Sequence, residues 1–509
     1  MLASVRSAML HGVEGQTLLV EVHVSNGLPS YTVVGLPDAA VRESRERVRA
    51  AILSSELTWP QKRVTVNLAP SGLRKSGAGL DLPFALGVML AVGDLPAGAL
   101  DGIGVVGELG LDGSLRPVPG TLAMVDALRA AEAEAVILPA ANAPEAQLID
   151  GIRVLPCTSL SEAQACLKGE QDWPAPSASS GPRLARDTAG PDGGGDGEGP
   201  TGDLGHVRGL AGARRALEVC AAGGHHLLLV GPPGAGKTLL AHCLPSILPP
   251  LEADDALEVT KIHSAAGQSF GGTLLRTRPF RAPHHTASAA ALVGGGSGRP
   301  RPGEATLAHR GILFLDELGE FAPTVLDALR QPLEERVVRI SRQGAALSFP
   351  ADFTLVACSN PCPCGLGPPA CACTESLRAR YRRRLSAPLV DRFDLRVLVG
   401  PATPDAAPGP PSAEARQRVA EAIARQHRRY RHAPWRRNAR VPAGALDRHI
   451  PLPPEAQEAL LGAARRRDWS GRGLAGVRRV ARTLADLDGV ALVSPAHILL
   501  ATGLREDVL

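Results

Sequence analysis

Residues 231–238 hold the side chains of this 509-residue chain that are best suited to binding phosphate. They read Gly-Pro-Pro-Gly-Ala-Gly-Lys-Thr, and apolar residues lie on both sides of them. A strand, a glycine-rich loop and a helix in this order let backbone amides surround phosphate groups. Lys237 adds charge for the β- and γ-phosphates, and the hydroxyl of Thr238 can bind Mg²⁺. The predicted binding residues for ATP and Mg²⁺ are Gly231, Pro232, Pro233, Gly234, Ala235, Gly236, Lys237 and Thr238.

Two acids, Asp316 and Glu317, follow a second apolar segment that is typical of a buried strand. We expect Asp316 to hold the Mg²⁺ shell and Glu317 to polarise the attacking water. Asn360 ends another apolar strand, and the carboxyl ends of parallel strands share one edge of a sheet. Asn360 therefore either orients that water or caps the turn before Pro361.

Four cysteines form two Cys-X-Cys pairs, and four close thiolates suit tetrahedral Zn²⁺. They are Cys362, Cys364, Cys371 and Cys373. Unligated surface thiols and redox-active pairs are the alternatives, because Cys-X-X-Cys is the commoner zinc spacing. The neighbouring residues His284 and His285 have no acid or thiol near them in the sequence. We expect them to be loop residues near a pore or an interface.

Arginines alternate with aromatic residues in three segments, 378–384, 425–440 and 465–469. This pattern suits phosphate contact combined with base stacking. A solvated helix face in an arginine-biased proteome is the alternative interpretation.

The composition is typical of a globular protein, with 44% hydrophobic and 21% charged residues. A net charge of +4 permits nucleic acid as a partner without requiring it. The first twelve residues lack the apolar core of a cleavable signal, and residues 82–92 are too short to span a bilayer. We therefore expect a cytoplasmic protein with no membrane association.

Residues 190–202 are rich in glycine, contain no side chain that could build a core, and predict a flexible linker. The predicted division is an N-terminal domain (1–170), a linker (171–203), an ATPase core (204–400) and a helical lid (401–509). The N-terminal domain alternates strand and helix patterns, with strands at 18–24 and 63–68 and helices at 38–54 and 83–92. It also contains a predicted hairpin, with strands at 105–109 and 113–118, that turns at 111–113. A second hairpin is expected at 336–349, with its turn near residues 343 and 344. Lid helices are expected at 412–429, 454–467, 476–487 and 495–502.

Over nearly its whole length the chain resembles the AAA+ ATPases of the magnesium-chelatase-like group, specifically the ComM/YifB family. In the N-terminal region the resemblance rests on residues 27–29 (Gly-Leu-Pro), 34–38 (Val-Gly-Leu-Pro-Asp), 41–44 (Val-Arg-Glu-Ser), 63–70 (Arg-Val-Thr-Val-Asn-Leu-Ala-Pro) and 81–83 (Asp-Leu-Pro). In the ATPase it rests on residues 281–286 (Arg-Ala-Pro-His-His-Thr), 292–296 (Leu-Val-Gly-Gly-Gly), 302–304 (Pro-Gly-Glu), 315–318 (Leu-Asp-Glu-Leu), 329–334 (Leu-Arg-Gln-Pro-Leu-Glu) and 360–365 (Asn-Pro-Cys-Pro-Cys-Gly).

The resemblance implies an α/β fold with a Lon-protease-like α+β N-terminal domain, an AAA+ core of αβα type and a C-terminal helical lid. Residues 267–303 would be the helix-2 insert of the core, and residues 336–349 its pre-sensor-1 hairpin. Asn360 would be sensor 1, Arg392 the arginine finger that reaches a neighbouring subunit's γ-phosphate, and Arg472 the sensor-2 arginine.

One departure lies in the lid. After Arg472 the family usually has an aromatic residue and then an arginine, whereas Leu474 and Gly476 stand here, and Arg478 and Arg479 follow.

The resemblance also implies a homo-hexameric DNA motor that drives branch migration on single-stranded or branched DNA, in recombination and natural transformation. Its catalytic residues would be Glu317, Asn360, Arg392 and Arg472. A chelatase-type motor, which remodels a partner protein or drives metal insertion, would use the same core and is the first alternative.

An ATP-dependent protease is the second alternative function. A Lon-type protease needs a serine nucleophile and a downstream lysine base. No lysine lies between Lys75 and Lys168, and Asp81 with its neighbours replaces the glycine-rich nucleophile segment. We therefore interpret the N-terminal domain as a non-catalytic module for DNA binding or ring assembly.

Overall fold

The computed structural model describes residues 1–71, 75, 77–175, 202–268, 270–296, 300–342, 345–367, 370–401, 407–467 and 469–506. Most of the predicted linker lies outside these ranges.

The N-terminal part folds around one mixed sheet. Its strands are β1 (Leu2–His11), β2 (Glu14–Ser25), β3 (Ser30–Val34), β4 (Arg63–Ala69), β5 (Ile103–Val105), β6 (Glu108–Leu109), β7 (Leu115–Arg116), β8 (Ala135–Pro139) and β9 (Arg153–Cys157). Its helices are α1 (Ala39–Ser54), α2 (Asp81–Val92), α3 (Thr121–Ala130), α4 (Ala143–Ala146) and α5 (Leu160–Lys168). In the described residues the sheet order is β3-β4-β2-β1-β5-β8-β9.

The predicted strands and helices of this part are confirmed, with shifted ends. Strand β2 begins at Glu14, four residues before the predicted start, and alternate residues from Leu18 to Val24 are buried. Helix α1 begins after Asp38, whose side chain accepts a hydrogen bond from the Val41 amide. The predicted hairpin is shorter than expected. Val105 belongs to the main sheet, and only β6 and β7 pair with each other.

Helix α2 is apolar on all sides because it packs on β1, β2 and α1 at once. Gly87 allows a close approach to the sheet, since a Cβ there would lie 2.7 Å from a methyl group of Val22. The first residue of the helix, Asp81, accepts hydrogen bonds from Arg47 at 2.9 and 3.1 Å. The family-matching segment at 81–83 is thus a packing element.

The central part of the chain, which is called the ATPase part after the sequence prediction, is built on a second sheet. Its strands and hairpins are β10 (Leu227–Val230), β11 (Phe280–Arg281), β12 (Gly294–Gly295), β13 (Arg301–Pro302), β14 (Ile312–Leu315), β15 (Val337–Arg342), β16 (Ala345–Pro350), β17 (Thr354–Ser359) and β18 (Leu395–Leu398). Its helices are α6 (Ala211–Gly223), α7 (Lys237–Ile247), α8 (Ala253–Ala265), α9 (Ala289–Val293), α10 (Glu304–Leu307), α11 (Pro323–Ala328), α12 (Arg330–Glu335), α13 (Glu375–Arg384) and α14 (Ala387–Val390).

The second sheet is parallel, in the order β11-β14-β17-β10-β18. Strand β17 lies between β10 and β14, so the segments that follow these three strands leave the same edge. The three strands are apolar and almost entirely buried, as expected for a sheet covered on both faces. This order brings the three predicted site segments together.

The predicted hairpin near residues 336–349 is confirmed as β15 and β16, which pair antiparallel. Val338, Leu347 and Phe349 face the core, whereas Arg339 is exposed. The predicted turn residues, 343 and 344, and the side chain of Arg342 lie outside the described part of the chain.

The C-terminal part is helical, with α15 (Ser412–Arg429), α16 (Leu446–His449), α17 (Pro454–Arg467), α18 (Gly471–Leu487) and α19 (Pro495–Gly503). The predicted lid helices are confirmed, but α18 begins five residues earlier than expected. Ser470 caps it by accepting a hydrogen bond from the Gly473 amide, and this cap outweighs the low helix propensity of three early glycines. Arg472 therefore lies in the first turn of a helix. No described helix combines the length and the apolar character needed to cross a membrane.

The N-terminal part packs directly on the ATPase part. Helix α3 lies against α8, where Lys261 binds Asp126 and the Ser264 hydroxyl donates to Glu145. At the turn between β1 and β2, Val13 joins the same apolar cluster as Phe349 of the hairpin.

Candidate active site

The loop between β10 and α7 forms a cradle open to solvent. Gly234 and Gly236 have φ values of 75° and 85°, a left-handed conformation that favours glycine. A Cβ atom on Gly234 would meet no heavy atom within 4 Å, so the space beside this glycine is open. Helix α7 begins directly after the loop, and the first amides of a helix have no partner within the helix, so they are available to phosphate oxygens.

Lys237 lies at the base of the cradle and is mostly buried. Its ammonium group donates to the carbonyls of Gly231 and Pro232 at 2.6 and 2.9 Å, and to the Asn360 side-chain oxygen at 3.2 Å. Burial lowers the pKa of Lys237. The loop thus holds a partly desolvated cation, for which phosphate oxygens are stronger partners than carbonyls.

Thr238 and Asp316 lie side by side at the edge of the sheet. The Thr238 hydroxyl donates to Asp316 Oδ2 at 2.9 Å, and Asp316 Oδ1 accepts from the Glu317 amide at 2.9 Å. An adjacent hydroxyl and carboxylate form the oxygen donor set that Mg²⁺ prefers. The residues of the cradle therefore fit Mg²⁺ together with a nucleotide phosphate.

Glu317 follows Asp316 in a left-handed conformation with φ of 51°, which is uncommon for a residue with a side chain. Such backbone strain is concentrated at functional sites. The carboxylate is exposed, and its Oε2 lies 3.5 Å from Nδ1 of His285. Solvent therefore reaches this carboxylate.

His284 and His285 lie in a loop after β11, as expected from the sequence, and in space an acid, Glu317, lies next to His285. His284 and His285 stack with ring centroids 4.0 Å apart, and Phe321 packs near His285. The pair approaches the acid only in space, through the loop after β11, so linear spacing carries no signal for it. His285 is thus a site residue that the sequence interpretation missed.

Asn360 contacts Lys237 from the end of β17, the strand between the phosphate loop and the acidic pair. The sequence left two roles for Asn360, orienting the attacking water or capping the turn before Pro361, and this placement favours the first.

The two remaining predicted arginines lie together in another place. Arg392 and Arg472 both bind the carboxylate of Glu334, at 2.9 and 3.1 Å. The charge of Arg392 has the largest effect in lowering the pKa of Glu334, and the charge of Arg472 adds to it. Among the described residues, no hydrogen bond or ion pair joins either arginine to the phosphate loop or to the acidic pair. Nothing in the sequence marks Glu334 as the residue that unites them.

The lid residues that depart from the family pattern have structural partners. A Cβ on Gly476 would lie 2.9 Å from the Asp394 carboxylate, so glycine is required by close packing. Arg478 binds Asp447 at 2.6 Å, and Arg479 donates to the Val441 carbonyl at 2.8 Å. These arginines hold the lid together.

The interpretation of residues 425–440 as a stacking surface for nucleic acid is wrong for its central residues. Arg429 binds Asp486, and Arg437 donates to the carbonyls of Ala221 and Ala222. Tyr430 is buried, with its hydroxyl donating to Asn438 at 2.7 Å. Within the three arginine-rich segments, the exposed arginines of the described chain are Arg380, Arg382, Arg383, Arg384, Arg428, Arg431, Arg436, Arg465, Arg466 and Arg467.

The four clustered cysteines converge beside the phosphate loop. Their sulfur atoms all lie within 4.8 Å of one another. The loop that carries them touches the cradle, because a Cβ on Gly365 would lie 2.8 Å from Cδ of Pro233.

Comparisons with known proteins match the N-terminal part, the ATPase part and the C-terminal helical part in this order. Family models described as subunit ChlI of magnesium chelatase match residues 20–142 and 203–407, and a model described as its C-terminal region matches residues 409–505. An uncharacterized protein of Mycobacterium tuberculosis is 43% identical over 488 residues, which is 95% of this chain and 94% of that protein.

Two further relatives extend over nearly the full chain. The uncharacterized protein YifB of Escherichia coli is 39% identical and covers 97% of this chain and 95% of its own length. Competence protein ComM of Haemophilus influenzae is 38% identical and covers 100% and 98%. With a parallel-sheet ATPase fold, a phosphate loop and full-length similarity to both proteins, the chain belongs to the ComM/YifB family of magnesium-chelatase-like AAA+ proteins.

Proposed function

We propose that the protein is an ATP-driven motor that acts on single-stranded or branched DNA as a homo-hexameric ring. Family membership indicates an ATPase, and the cradle of Lys237, Thr238 and Asp316 is the part of the structure that fits this chemistry. The observation that carries the ring is the position of Arg392 and Arg472, which bind Glu334 and not the phosphate loop of their own chain.

Hydrolysis is expected to use the residues along the sheet edge. Lys237 and the loop amides bind the β- and γ-phosphates, and Asn360, which contacts Lys237, orients the attacking water. Glu317 accepts the proton of that water. Thr238 and Asp316 would hold Mg²⁺, which neutralises phosphate charge when it is bound.

A neighbouring subunit would complete the site. Transfer of the γ-phosphoryl group concentrates negative charge, and an arginine finger stabilises it by about 10³–10⁵ in rate. Arg392 is the proposed finger, and Arg472 the sensor-2 arginine. Because Glu334 binds both arginines, they lie on the same face of the protomer. From this face both would reach the nucleotide of one neighbouring subunit.

DNA is proposed as the partner on two grounds. A full-length relative is a competence protein, and exposed arginines lie on the β15–β16 hairpin and on α13. Arg339 of the hairpin is 58% exposed and is paired only with Glu335 of its own segment among the described residues. Phosphate oxygens can replace that carboxylate, so the hairpin is the proposed DNA grip.

The finer architecture follows the family resemblance. We infer a Lon-protease-like, non-catalytic N-terminal domain over residues 1–170, a linker over 171–203, a core over 204–400 and a lid over 401–509. Within the core, residues 267–303 are the proposed helix-2 insert, and the β15–β16 hairpin is the proposed pre-sensor-1 hairpin. A cytoplasmic location belongs to the same proposal.

The test is ATP turnover by the full-length protein with and without a four-way DNA junction, followed by the resolution of that junction into duplexes. We expect turnover to rise with DNA and junction products to depend on ATP. A chelatase-type motor is the second candidate, since the matching family models describe a chelatase subunit. An ATP turnover rate that is the same with and without DNA, together with no DNA binding, would favour that candidate.

A further inference from the structure

The four sulfur atoms of the cysteine cluster lie close enough together to bind one metal ion. The Cys362 sulfur lies 3.2 Å from that of Cys364 and 3.5 Å from that of Cys371, and the Cys364 and Cys371 sulfurs are 3.8 Å apart. A disulfide needs about 2.05 Å, so these sulfurs are too far apart to be bonded. Four thiolates at about 2.3 Å from one Zn²⁺ ion have edges of about 3.8 Å, close to the observed spacing.

Backbone amides point at two of these sulfurs. The Gly367 amide donates to Cys362 Sγ and the Cys373 amide to Cys371 Sγ, each at 3.4 Å. Hydrogen bonds of this kind orient ligands and stabilise thiolate charge around a metal. Gly365 and Gly367 both have positive φ, which lets the chain turn back so that the first pair of cysteines meets the second.

We propose that Cys362, Cys364, Cys371 and Cys373 bind one Zn²⁺ ion, and that this ion holds the phosphate loop and the start of α13 in place. Sulfur ligands in a tetrahedron select zinc or iron over the oxygen-preferring Mg²⁺. The site is therefore separate from the nucleotide site in chemistry, although the two sites touch.

Two sets of contacts lead from the cluster to the nucleotide site. On one side, Cys362 is buried two residues after Asn360, which contacts Lys237, and Gly365 packs against Pro233 of the phosphate loop. Without a metal, only weak contacts between neutral thiols would hold the two cysteine pairs together, and the loop they close would give less support to Pro233.

On the other side, Cys373 lies two residues before α13 begins. In this helix the Tyr381 hydroxyl lies 3.3 Å from that of Ser359, at the end of β17. Arg384 then donates to the Gly319 carbonyl at 3.1 Å, just after the acidic pair. One ion can thus fix the helix relative to both β17 and the segment after Glu317.

The metal itself is tested on the full-length protein, grown with added Zn²⁺ and purified without a chelator. We expect about one zinc per chain by elemental analysis, and four sulfur neighbours at about 2.3 Å by X-ray absorption at the zinc edge. The double variant Cys364→Ser, Cys373→Ser should lose the zinc. The control Cys166→Ser, in the N-terminal part and remote in sequence, should keep it.

The absence of metal, iron in place of zinc, or fewer than three sulfur ligands would overturn the site. Disulfides found in the freshly purified protein would do the same, since they would assign the pairs to redox chemistry. If the double variant does not fold, the metal content and absorption spectrum of the wild type still decide the question.

The link to the phosphate loop rests on the proposed function, and its test is nucleotide binding without hydrolysis or DNA. We expect the zinc-free double variant to bind a fluorescent ATP analogue about tenfold more weakly than wild type and Cys166→Ser. Unchanged affinity in a folded, zinc-free variant would reject the supporting role while the metal site stands. If the zinc-loaded wild type itself binds no nucleotide, the proposed ATPase is refuted, whatever the variant does.

Discussion

Mixing variant subunits tests whether Arg392 and Arg472 act from the same face. Both bind the one carboxylate of Glu334, at 2.9 and 3.1 Å, so they cannot serve opposite sides of a subunit. If that face meets a neighbour's phosphate loop, one subunit supplies both arginines and the other supplies Lys237. We expect Arg392→Ala alone to lower turnover by about 10³-fold or more, because no residue of the same chain replaces the finger.

The expected recovery follows from random assembly of equal amounts of two variants. With Lys237→Ala and Arg392→Ala subunits, about one boundary in four joins an intact loop to an intact arginine face. The same recovery, about a quarter of wild-type turnover, is expected for Lys237→Ala with Arg472→Ala. A mixture of Arg392→Ala and Arg472→Ala should recover almost nothing, because every face lacks one arginine.

The assay is steady-state phosphate release with saturating DNA, after the subunits have been mixed as dissociated chains and reassembled. Lys237→Ala mixed with the exposed-surface variant Arg431→Ala is the control, and about half of its sites should be active. Recovery of about a quarter in the Arg392→Ala and Arg472→Ala mixture would refute the reasoning, since Arg472 would then act on the loop of its own subunit. Breaking the ion pair between Arg472 and Glu334 costs little, because both side chains are exposed and such pairs contribute only about 0.2–1 kcal/mol.

Three further predictions follow from single sites. Lys237→Ala should abolish binding of a fluorescent ATP analogue, whereas Glu317→Gln should keep that binding and lose phosphate release, because only the base is removed. Arg339→Ala should weaken DNA binding and reduce the salt slope of log Kd by about 1, measured by fluorescence anisotropy. His309, whose Nε2 lies 3.2 Å from the Glu258 carboxylate, lowers the pKa of Glu258 to about 2. The stabilisation from this contact is therefore complete above the ordinary value of 4.5 and is lost as pH falls through about 2. Glu258→Gln should therefore lower Tm at pH 7, and the difference from wild type should shrink between about pH 4.5 and 2, measured by thermal unfolding.

Matched variants separate these effects from general damage. Arg431→Ala, another exposed arginine, should leave the salt slope unchanged, and an equal loss in both variants would remove the hairpin from the DNA interface. Glu455→Gln, at an exposed helix start, should shift Tm little at any pH. Normal phosphate release by Glu317→Gln would contradict its role as base, and a constant Tm deficit of Glu258→Gln down to pH 2 would contradict the linkage.

Local sequence signals predict the elements of this fold well, since each depends on a short pattern. The apolar runs before Gly231 and Asp316 are buried strands, and β10 and β14 end where the sequence indicates. The start of α18 was missed because three glycines mask a helix whose first turn depends on the Ser470 cap. The sequence carries helix propensity along the chain, but a cap depends on one side chain and one amide.

Contacts across the chain are the part that sequence patterns do not supply. Arg429 and Tyr430 are residue types that are common on nucleic-acid surfaces. Arg429 is instead paired with Asp486, 57 residues away along the chain, in the interior of the lid. Likewise, His285 meets Glu317 only because β11 and β14 are neighbours in the sheet. The sequence of a segment gives the number of its cations, whereas the residues that pair with those cations depend on the tertiary fold.

The N-terminal part is also more than a module held by a linker, because it contacts two elements that lead to the candidate site. Helix α3 binds α8 through Asp126 and Lys261, and Glu258 of α8 binds Arg310 at 3.1 Å, two residues before β14. Strand β14 then ends at the acidic pair. At the other contact, Val13 packs with Phe349 at the base of the hairpin. A movement of the N-terminal part that kept these contacts would therefore displace both α8 and the hairpin, since packed interiors transmit displacement with little slack.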